Sequence, residues 1–266
     1  MQENGVAVQV ETVFSRRLGI DWNYSAYLPS GYRLGDERYP VVYLLHGLYG
    51  NHGNFEDRMA LKGVLVDLAR RGLPPAIFVC VDGFNSFYID ALGGMQMERA
   101  IMEDLIPHID TRYRTVGSRA SRALCGISMG GFGSARLALR YPEVFSSAAL
   151  ISPAVWRERP GDEIYLTQHA FRDERAAWSH EVYRSVFPTK YLSARSAEVR
   201  FHIESGEKDG VVPIGEVDAF VGCLSDAGIP VRYVRDGEGA HEWAYWKDAV
   251  SRGLAWTLEG FSKEPS

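Results

Sequence analysis

Apolar residues recur along this 266-residue chain in short continuous runs. Longer stretches separate these runs, and in them apolar residues recur with the period of a helix, with polar residues between them. Continuous apolar runs are typical of strands buried on both faces of a sheet. Their regular alternation with helical stretches predicts a mainly parallel sheet with helices on both faces. Eight strands are predicted: Val6–Val13, Trp22–Leu28, Val41–Leu45, Ala76–Val81, Arg122–Cys125, Phe145–Ile151, Val199–Ile203 and Val231–Val234.

Helices are predicted between most of these strands, because apolar residues recur there on one face. Glycine and proline mark their ends: Gly72 stops the first helix, Pro142 closes the one after the fifth strand, and Gly228 closes the next-to-last one. Pro107 should break or kink another helix midway. The predicted helices are Asp57–Arg71, Glu98–Tyr113, Ser134–Tyr141, Ile214–Ala227 and Trp243–Leu258.

Residues 152–196, after the sixth strand, show no clean periodicity and mix aromatic with charged residues. They predict a small helical insertion over the end of the sheet that carries the candidate site described below. No change of composition, internal repeat or low-complexity segment divides the chain. We therefore expect residues 1–266 to form a single domain.

Charge and cysteine content narrow the class of protein. The net charge is −5, with 29 basic and 34 acidic residues and no basic run, which disfavours nucleic acid or an anionic membrane as a partner. No apolar run approaches membrane-spanning length. The N-terminus has no signal-peptide pattern, which predicts a cytoplasmic protein or a secreted form whose signal has been removed. Homo-oligomerisation stays open. The three cysteines, Cys80, Cys125 and Cys223, are predicted to be small core residues, and no cluster indicates a metal or another cofactor.

The chemistry centres on Gly126-Ile127-Ser128-Met129-Gly130, a G-x-S-x-G pattern. By composition alone such a pattern is weak evidence, because a chain of this length contains one by chance about one time in ten. Here, however, a predicted strand precedes it and a predicted helix follows it. That is the setting of a nucleophile elbow, in which a strained turn exposes the serine hydroxyl. The glycines let neighbouring backbone pass close by without a Cβ. Ser128 is therefore the candidate nucleophile.

A serine nucleophile needs a base and a carboxylate that orients the base, which follow it in the order acid, then histidine, in this architecture. Asp209 lies directly after the seventh predicted strand and His241 after the eighth. Both positions fall beside the elbow, at the carboxyl ends of their strands. Glu207 and Glu204 are alternative acids. His46 precedes the elbow and is expected to brace its own loop rather than to act as the base.

An oxyanion needs two N–H donors, one from the residue after the nucleophile and one from the loop after the third strand. Met129 and Leu48 are the candidates, Leu48 because it lies in the glycine-rich run after Val41–Leu45. Aromatic residues near these loops are candidates for lining a substrate pocket, although no more than half of them should do so. They are Phe84, Phe87, Tyr88, Trp156, Trp243 and Trp246.

With these motifs in place, the chain resembles the putative esterase (esterase D-like) family of α/β-hydrolases, particularly its tributyrin esterase and feruloyl esterase branch. The resemblance extends from about residue 10 to residue 258. It implies an α/β-hydrolase fold, carboxylic-ester hydrolysis without a metal or organic cofactor, and an acyl pocket lined by residues 85–90. The matching stretches are Tyr39–Gly47, Asn85–Asp90, Gly126–Gly131 and Gly239–Trp243.

The expected function is serine esterase activity on small-molecule esters of short-chain acyl, feruloyl or acetyl type. An acyltransferase of the mycolyltransferase type is the first alternative, and a thioesterase similar to S-formylglutathione hydrolases is another. The loop after the third strand lacks the cysteine-containing pattern of those hydrolases, which argues against a glutathione thioester. A non-catalytic binding module is disfavoured, because a scaffold that had lost its activity would not need serine, aspartate and histidine in this order.

Overall fold

The computed structural model describes residues 5–158 and 170–261. Within them, eight strands form one sheet, and each predicted strand is present with ends shifted by at most a few residues. Residues 159–169 of the predicted insertion lie outside the described residues, as do both chain ends. The strands are β1 (Ala7–Ser15), β2 (Ile20–Leu28), β3 (Val41–Leu45), β4 (Ile77–Val81), β5 (Arg122–Ile127), β6 (Ser147–Ile151), β7 (Arg200–Gly206) and β8 (Val231–Asp236).

The strand order is β1-β2-β4-β3-β5-β6-β7-β8. β1 and β2 pair antiparallel, and β2 pairs antiparallel with β4. All pairs from β4 to β8 are parallel, so the carboxyl ends of β3, β5, β7 and β8 lie along one edge of the sheet. This mostly parallel, eight-stranded arrangement confirms the predicted α/β-hydrolase fold.

Helices cover both faces of the sheet. Those whose bounds lie within the described residues are α1 (Asn54–Met59), α2 (Leu61–Arg70), α3 (Met97–Arg99), α4 (Ile106–Arg112), α5 (Met129–Arg140), α6 (His180–Val186), α7 (Ile214–Asp226) and α8 (Trp243–Phe261). In β3, Val41, Tyr43 and Leu45 pack in one cluster with α3 to α7, while Val42 and Leu44 pack in another with α1, α2 and α8. Successive strand residues point to opposite faces, and because helices cover both faces, both sets are buried.

Two predicted helices are built differently. The helix predicted over Asp57–Arg71 is two helices, because Ala60 adopts a left-handed conformation with φ 51° and breaks the backbone between α1 and α2. The helix predicted over Glu98–Tyr113 contains a π-helical segment, Ala100–Leu105, just before the turn that holds Pro107. Proline lacks the N–H of a regular helix interior, and a wider turn accommodates it.

The described part of the insertion packs on α5. α6 and a 3₁₀ turn (Pro188–Tyr191) lie there, and the Arg136 guanidinium donates to Val186 O at 3.0 Å. Arg136 also forms a buried ion pair with Glu98, which is 1% exposed. One further prediction was wrong: Cys223 is exposed on α7 rather than part of the core. No helix in the described ranges has the length and apolar character needed to cross a bilayer.

Candidate active site

Ser128 occupies the turn between β5 and α5. Its backbone has φ 53° and ψ −115°, a conformation that L-residues rarely adopt. Two hydrogen bonds hold the turn: Ser128 N–H donates to Ile151 O at 2.9 Å, and Ala154 N–H donates to Ser128 O at 3.0 Å. The sheet thus fixes a strained residue at its carboxyl edge, as a nucleophile elbow requires.

The two glycines of the pattern are required by close backbone approach. A Cβ on Gly126 would lie 2.0 Å from Gly130 O, and a Cβ on Gly130 would lie 1.9 Å from Leu45 O. Both distances are far below any real contact of this kind, so a side chain at either position would displace the turn. The sequence spacing therefore has a direct steric cause.

Ser128, His241 and Asp209 form a continuous chain of hydrogen bonds. His241 Nε2 lies 3.0 Å from Ser128 Oγ, and His241 Nδ1 lies 2.7 Å from Asp209 Oδ2. An ionised carboxylate only accepts, so Nδ1 carries the hydrogen and Nε2 is free to accept the serine proton. The three residues predicted from the sequence are brought together in the geometry of a catalytic triad.

The loops after β7 and β8 bring Asp209 and His241 together. Lys208 N–H donates to Gly239 O at 3.0 Å, and a Cβ on Gly206 would lie 2.0 Å from the same carbonyl. Asp209 Oδ1 also accepts from the backbone N–H groups of the following turn, at 2.9 Å and 2.8 Å. The Asp209 carboxylate, whose side chain is fully buried, therefore has both oxygens engaged.

The alternative acids lie elsewhere. Glu204 is buried and bound by His202 Nε2, at 3.3 Å, and by the Arg252 guanidinium. Burial alone would raise the pKa of the Glu204 carboxyl, but these hydrogen bonds hold it below its ordinary value. Glu207 forms an exposed ion pair with Arg235 at 3.0 Å. Neither acid contacts the candidate base.

His46 braces its loop, as the sequence predicts. Its Nδ1–H donates to Gly47 O at 2.7 Å, and its Nε2 accepts from Gly83 N–H at 2.8 Å. The Tyr88 hydroxyl donates to His46 O at 3.0 Å. Burial raises the pKa of the Tyr88 phenol well above its ordinary value, so the hydroxyl stays protonated and available as that donor.

A fourth contact fixes the same loop from the side of Leu48. Asn85 Oδ1 accepts from Tyr49 N–H at 2.7 Å, and Tyr49 has a positive φ of 62°. The segment that follows β4 thus holds the loop that follows β3 in a strained conformation. Phe84, two residues after Asp82 in the segment that follows β4, also has a positive φ, of 48°.

Two backbone N–H groups next to Ser128 have no acceptor within the described residues, those of Leu48 and Met129. Met129 begins α5, where the first N–H groups of a helix have no partner inside it. Leu48 follows Gly47, at which an added Cβ would lie 3.5 Å from Ser128 Cβ. The two predicted oxyanion donors therefore flank the serine.

A cleft of about 350 Å³ opens onto Ser128 and His241. Three of the predicted aromatic residues line it: Trp156, Trp243 and Trp246. The Trp246 ring meets the His241 ring edge-on, with 4.8 Å between centroids. Within residues 5–158 and 170–261, the lining consists of Gly47, Leu48, Tyr49, Gly50, Asn54, Arg58, Ser128, Trp156, Val211, His241, Trp243 and Trp246.

The prediction for the segment after β4 differs from the structure. Phe87 and Tyr88 are fully buried and belong to the core, and the half-buried Phe84 packs against that core rather than lining the cleft. The positive φ values at all three positions turn the segment inward, so that Phe87 packs against the Phe132 ring. None of residues 85–90 therefore lines this cleft, and Asn85 contacts its wall through the hydrogen bond from Tyr49 N–H.

Besides two glycines, four lining side chains are not predicted from the sequence: Tyr49, Asn54, Arg58 and Val211. Tyr49 follows Leu48 in the glycine-rich run after β3, so this run is the sequence feature that indicates its position. Asn54 and Arg58 belong to α1, which carries no motif. Within the described residues no group of three or more His, Cys, Asp or Glu side chains is placed to hold a metal ion.

Comparison with known proteins shows the family to which the chain belongs. The sequence model of a family described as Putative esterase matches residues 15–257. The chain belongs to this esterase family. A ferulic acid esterase of known structure superposes with a TM-score of 0.82 at 25% identity, with 97% of this chain and 99% of that one covered.

Several curated relatives carry esterase names. One is an endo-1,4-beta-xylanase/feruloyl esterase of Xylanibacter ruminicola, 32% identical over 155 residues, which cover 54% of this chain and 21% of that protein. Another is an acetyl esterase of Caldicellulosiruptor saccharolyticus, 26% identical over 239 residues, 83% of this chain and 84% of that one. The chain spans less than a third of the length of the Xylanibacter protein and of two Mycobacterium tuberculosis esterases.

Proposed function

We propose that this chain is a serine carboxylic-ester hydrolase that works through an acyl-enzyme intermediate on Ser128. The observation that carries the proposal is the hydrogen-bond chain from Ser128 Oγ through His241 to Asp209, with links of 3.0 Å and 2.7 Å. Membership of the esterase family supports the reaction class. The esterase names of two relatives point the same way.

Acylation begins when Ser128 Oγ attacks the ester carbonyl carbon and its proton passes to His241 Nε2. The tetrahedral intermediate collapses, the bond to the alcohol oxygen breaks, and His241 returns the proton to that oxygen. Water then repeats the sequence on the acyl-enzyme, with His241 again acting as base and then as acid. The carboxylic acid leaves, and Ser128 is regenerated.

Asp209 orients the imidazole and stabilises the imidazolium that forms in both steps. Its two backbone hydrogen bonds fix the carboxylate before the substrate arrives. The N–H groups of Leu48 and Met129 receive the negative charge on the former carbonyl oxygen. Donors that are already in place cost no reorganisation during the reaction.

The cleft favours small ester substrates. Its volume of about 350 Å³ lies near the lower end of ordinary ligand sites, which span about 300–1,000 Å³. The indole rings of Trp156, Trp243 and Trp246 offer apolar and aromatic walls. We infer short-chain acyl, acetyl or feruloyl-type esters as the substrate class, with no metal or organic cofactor in the mechanism.

A panel of p-nitrophenyl esters from acetate to decanoate, together with methyl ferulate, tests this function. Hydrolysis should be fastest for short acyl chains or the ferulate ester, and Ser128→Ala should lower kcat by about 10³-fold or more. Ser118→Ala, at an exposed serine remote from the cleft, is the matched control and should retain the wild-type rate.

Two further measurements separate the alternatives. An acceptor alcohol added to the assay should leave the free acid as the main product, whereas transfer of the acyl group to that alcohol would identify an acyltransferase. A thioester matched to the best oxygen ester distinguishes a thioesterase by a higher kcat/KM. Ester turnover within tenfold of wild type in the purified Ser128→Ala variant would remove Ser128 from the mechanism.

A further inference from the structure

Among the described residues that line the cleft beside Ser128 and His241, Arg58 alone carries a permanent charge. Its side chain belongs to α1 and is exposed. Within the described residues, no aspartate or glutamate shares that lining. The cleft therefore presents a local positive charge in a chain whose net charge is −5.

The Arg58 guanidinium has no carboxylate partner in the part of the chain that the structure describes. Its acidic neighbour Glu56 is already engaged, since Glu56 Oε2 accepts from Lys62 N–H at 2.9 Å and from the Tyr27 hydroxyl at 3.2 Å. All the guanidinium donors thus remain available at the cleft. Arginine recognises carboxylates through two parallel hydrogen bonds, for which its planar fork is preorganised.

Asn54 lies on the same face of α1, because residues four apart on a helix are neighbours. It also lines the cleft. Its Oδ1 accepts from Asn51 N–H, which leaves the amide NH₂ as the group that can meet a ligand. A guanidinium and an amide donor side by side form a site for an anion rather than for a cation or an apolar group.

We propose that the substrate is an ester that also carries a carboxylate, which Arg58 and Asn54 bind while Ser128 attacks the ester carbonyl. The inference rests on the proposed function and names the substrate class within it. The carboxylate can belong to the acyl part, as in a half-ester of a dicarboxylic acid, or to the alcohol part, as in an ester of a hydroxy acid.

Two matched substrate pairs test the proposal. On the acyl side, mono-p-nitrophenyl glutarate is compared with the p-nitrophenyl ester of its terminal amide. On the alcohol side, 4-carboxyphenyl butyrate is compared with 4-carbamoylphenyl butyrate. Each pair differs in charge and hardly in shape, so the ratio of kcat/KM values isolates the carboxylate. We expect the anionic member of one pair to be preferred by about tenfold, in line with a hydrogen-bonded charge pair, and the responding pair identifies the side.

Arg58→Gln should bring that ratio close to one, mainly through KM. Arg71→Gln is the control, because Arg71 is an exposed arginine outside the cleft lining and its loss changes the net charge equally. The preference should also shrink as ionic strength rises. A ratio near one for both pairs in the wild type, or a preference that survives in Arg58→Gln, would overturn the proposal.

Calorimetric binding to the Ser128→Ala variant keeps this test independent of turnover. Both alcohol-side and acyl-side pairs are titrated, and the anionic member of one pair should bind about tenfold more tightly. Turnover of neutral esters without any charge preference would defeat this inference and leave the esterase proposal intact. Failure of every ester to turn over, combined with preferential binding of an anionic ester, would defeat the esterase proposal and leave the anion site in place.

Discussion

Replacing Asp209 with asparagine should disable the candidate base without disturbing the fold. Asp209 Oδ1 accepts from Val211 N–H at 2.9 Å and from Val212 N–H at 2.8 Å. In Asp209→Asn these two donors retain the amide oxygen, so the NH₂ group takes the place of Oδ2, 2.7 Å from His241 Nδ1. An NH₂ group donates, and it therefore requires Nδ1 to accept.

The consequence is the wrong tautomer of His241. With Nδ1 as acceptor, the ring hydrogen sits on Nε2, which then cannot take the proton of Ser128 Oγ. Loss of the base in this way costs about 10⁴-fold in kcat, equivalent to about 5.4 kcal/mol of transition-state stabilisation. Steady-state hydrolysis of the best p-nitrophenyl ester measures the effect, with KM expected to change little.

The matched control is Glu207→Gln, which removes a carboxylate two residues away. Glu207 is bound to Arg235 in an exposed ion pair, and such pairs contribute about 0–1 kcal/mol. Its kcat should stay within twofold of wild type, and the melting temperatures of both variants should match that of the wild type within a few degrees. The assignment of the acid would be refuted if kcat fell less than tenfold in Asp209→Asn, or if it fell further in Glu207→Gln than in Asp209→Asn.

Three further predictions concern the frame around the triad. Gly130→Ala places a Cβ 1.9 Å from a strand carbonyl and should lower kcat about 10²-fold by displacing the elbow, whereas Gly63→Ala, with open space around it, should not. Asn85→Leu removes the acceptor of Tyr49 N–H in the loop that carries Leu48, and it should lower kcat about tenfold at constant KM. Asn85→Asp keeps the acceptor and should retain most of the wild-type rate. The pKa of Glu204 is held below its ordinary value of 4.5, so the ionised carboxylate stabilises the fold fully above that pH. This stabilisation is lost as the pH falls through the folded-state pKa. Between pH 6 and pH 3 the melting temperature should therefore decline less steeply in Arg252→Met than in wild type.

The strands and the triad could be predicted because each leaves a local signal. The run Val41–Leu45 is buried on both faces, and its predicted bounds equal those of β3. Ser128, Asp209 and His241 each follow a strand at the carboxyl edge, where parallel strands bring distant residues together. Order along the chain and strand direction were sufficient to assemble the site.

The remainder depends on three-dimensional detail that residue types do not encode. An alanine such as Ala60 gives no sequence signal for a left-handed backbone, so the sequence predicts one helix where the structure has two. Phe87 and Tyr88 are as apolar as pocket residues, but positive φ values turn them into the core. Arg58 lies at the cleft because α1 packs against α8, with the Phe55 ring edge-on to the Trp243 ring, a contact between separate elements that no periodicity reveals.

Covalent labelling of the nucleophile tests the central claim most directly. A p-nitrophenyl alkylphosphonate traps an activated serine as a stable adduct, because the phosphonyl group resembles the tetrahedral intermediate. After labelling and proteolysis, mass spectrometry should find one adduct, on the peptide that contains Ser128, and activity should fall in proportion to labelling. Ser128→Ala should remain unlabelled, and His241→Ala should label far more slowly. Labelling of another residue that abolishes activity, or full labelling of the Ser128→Ala variant, would contradict the account.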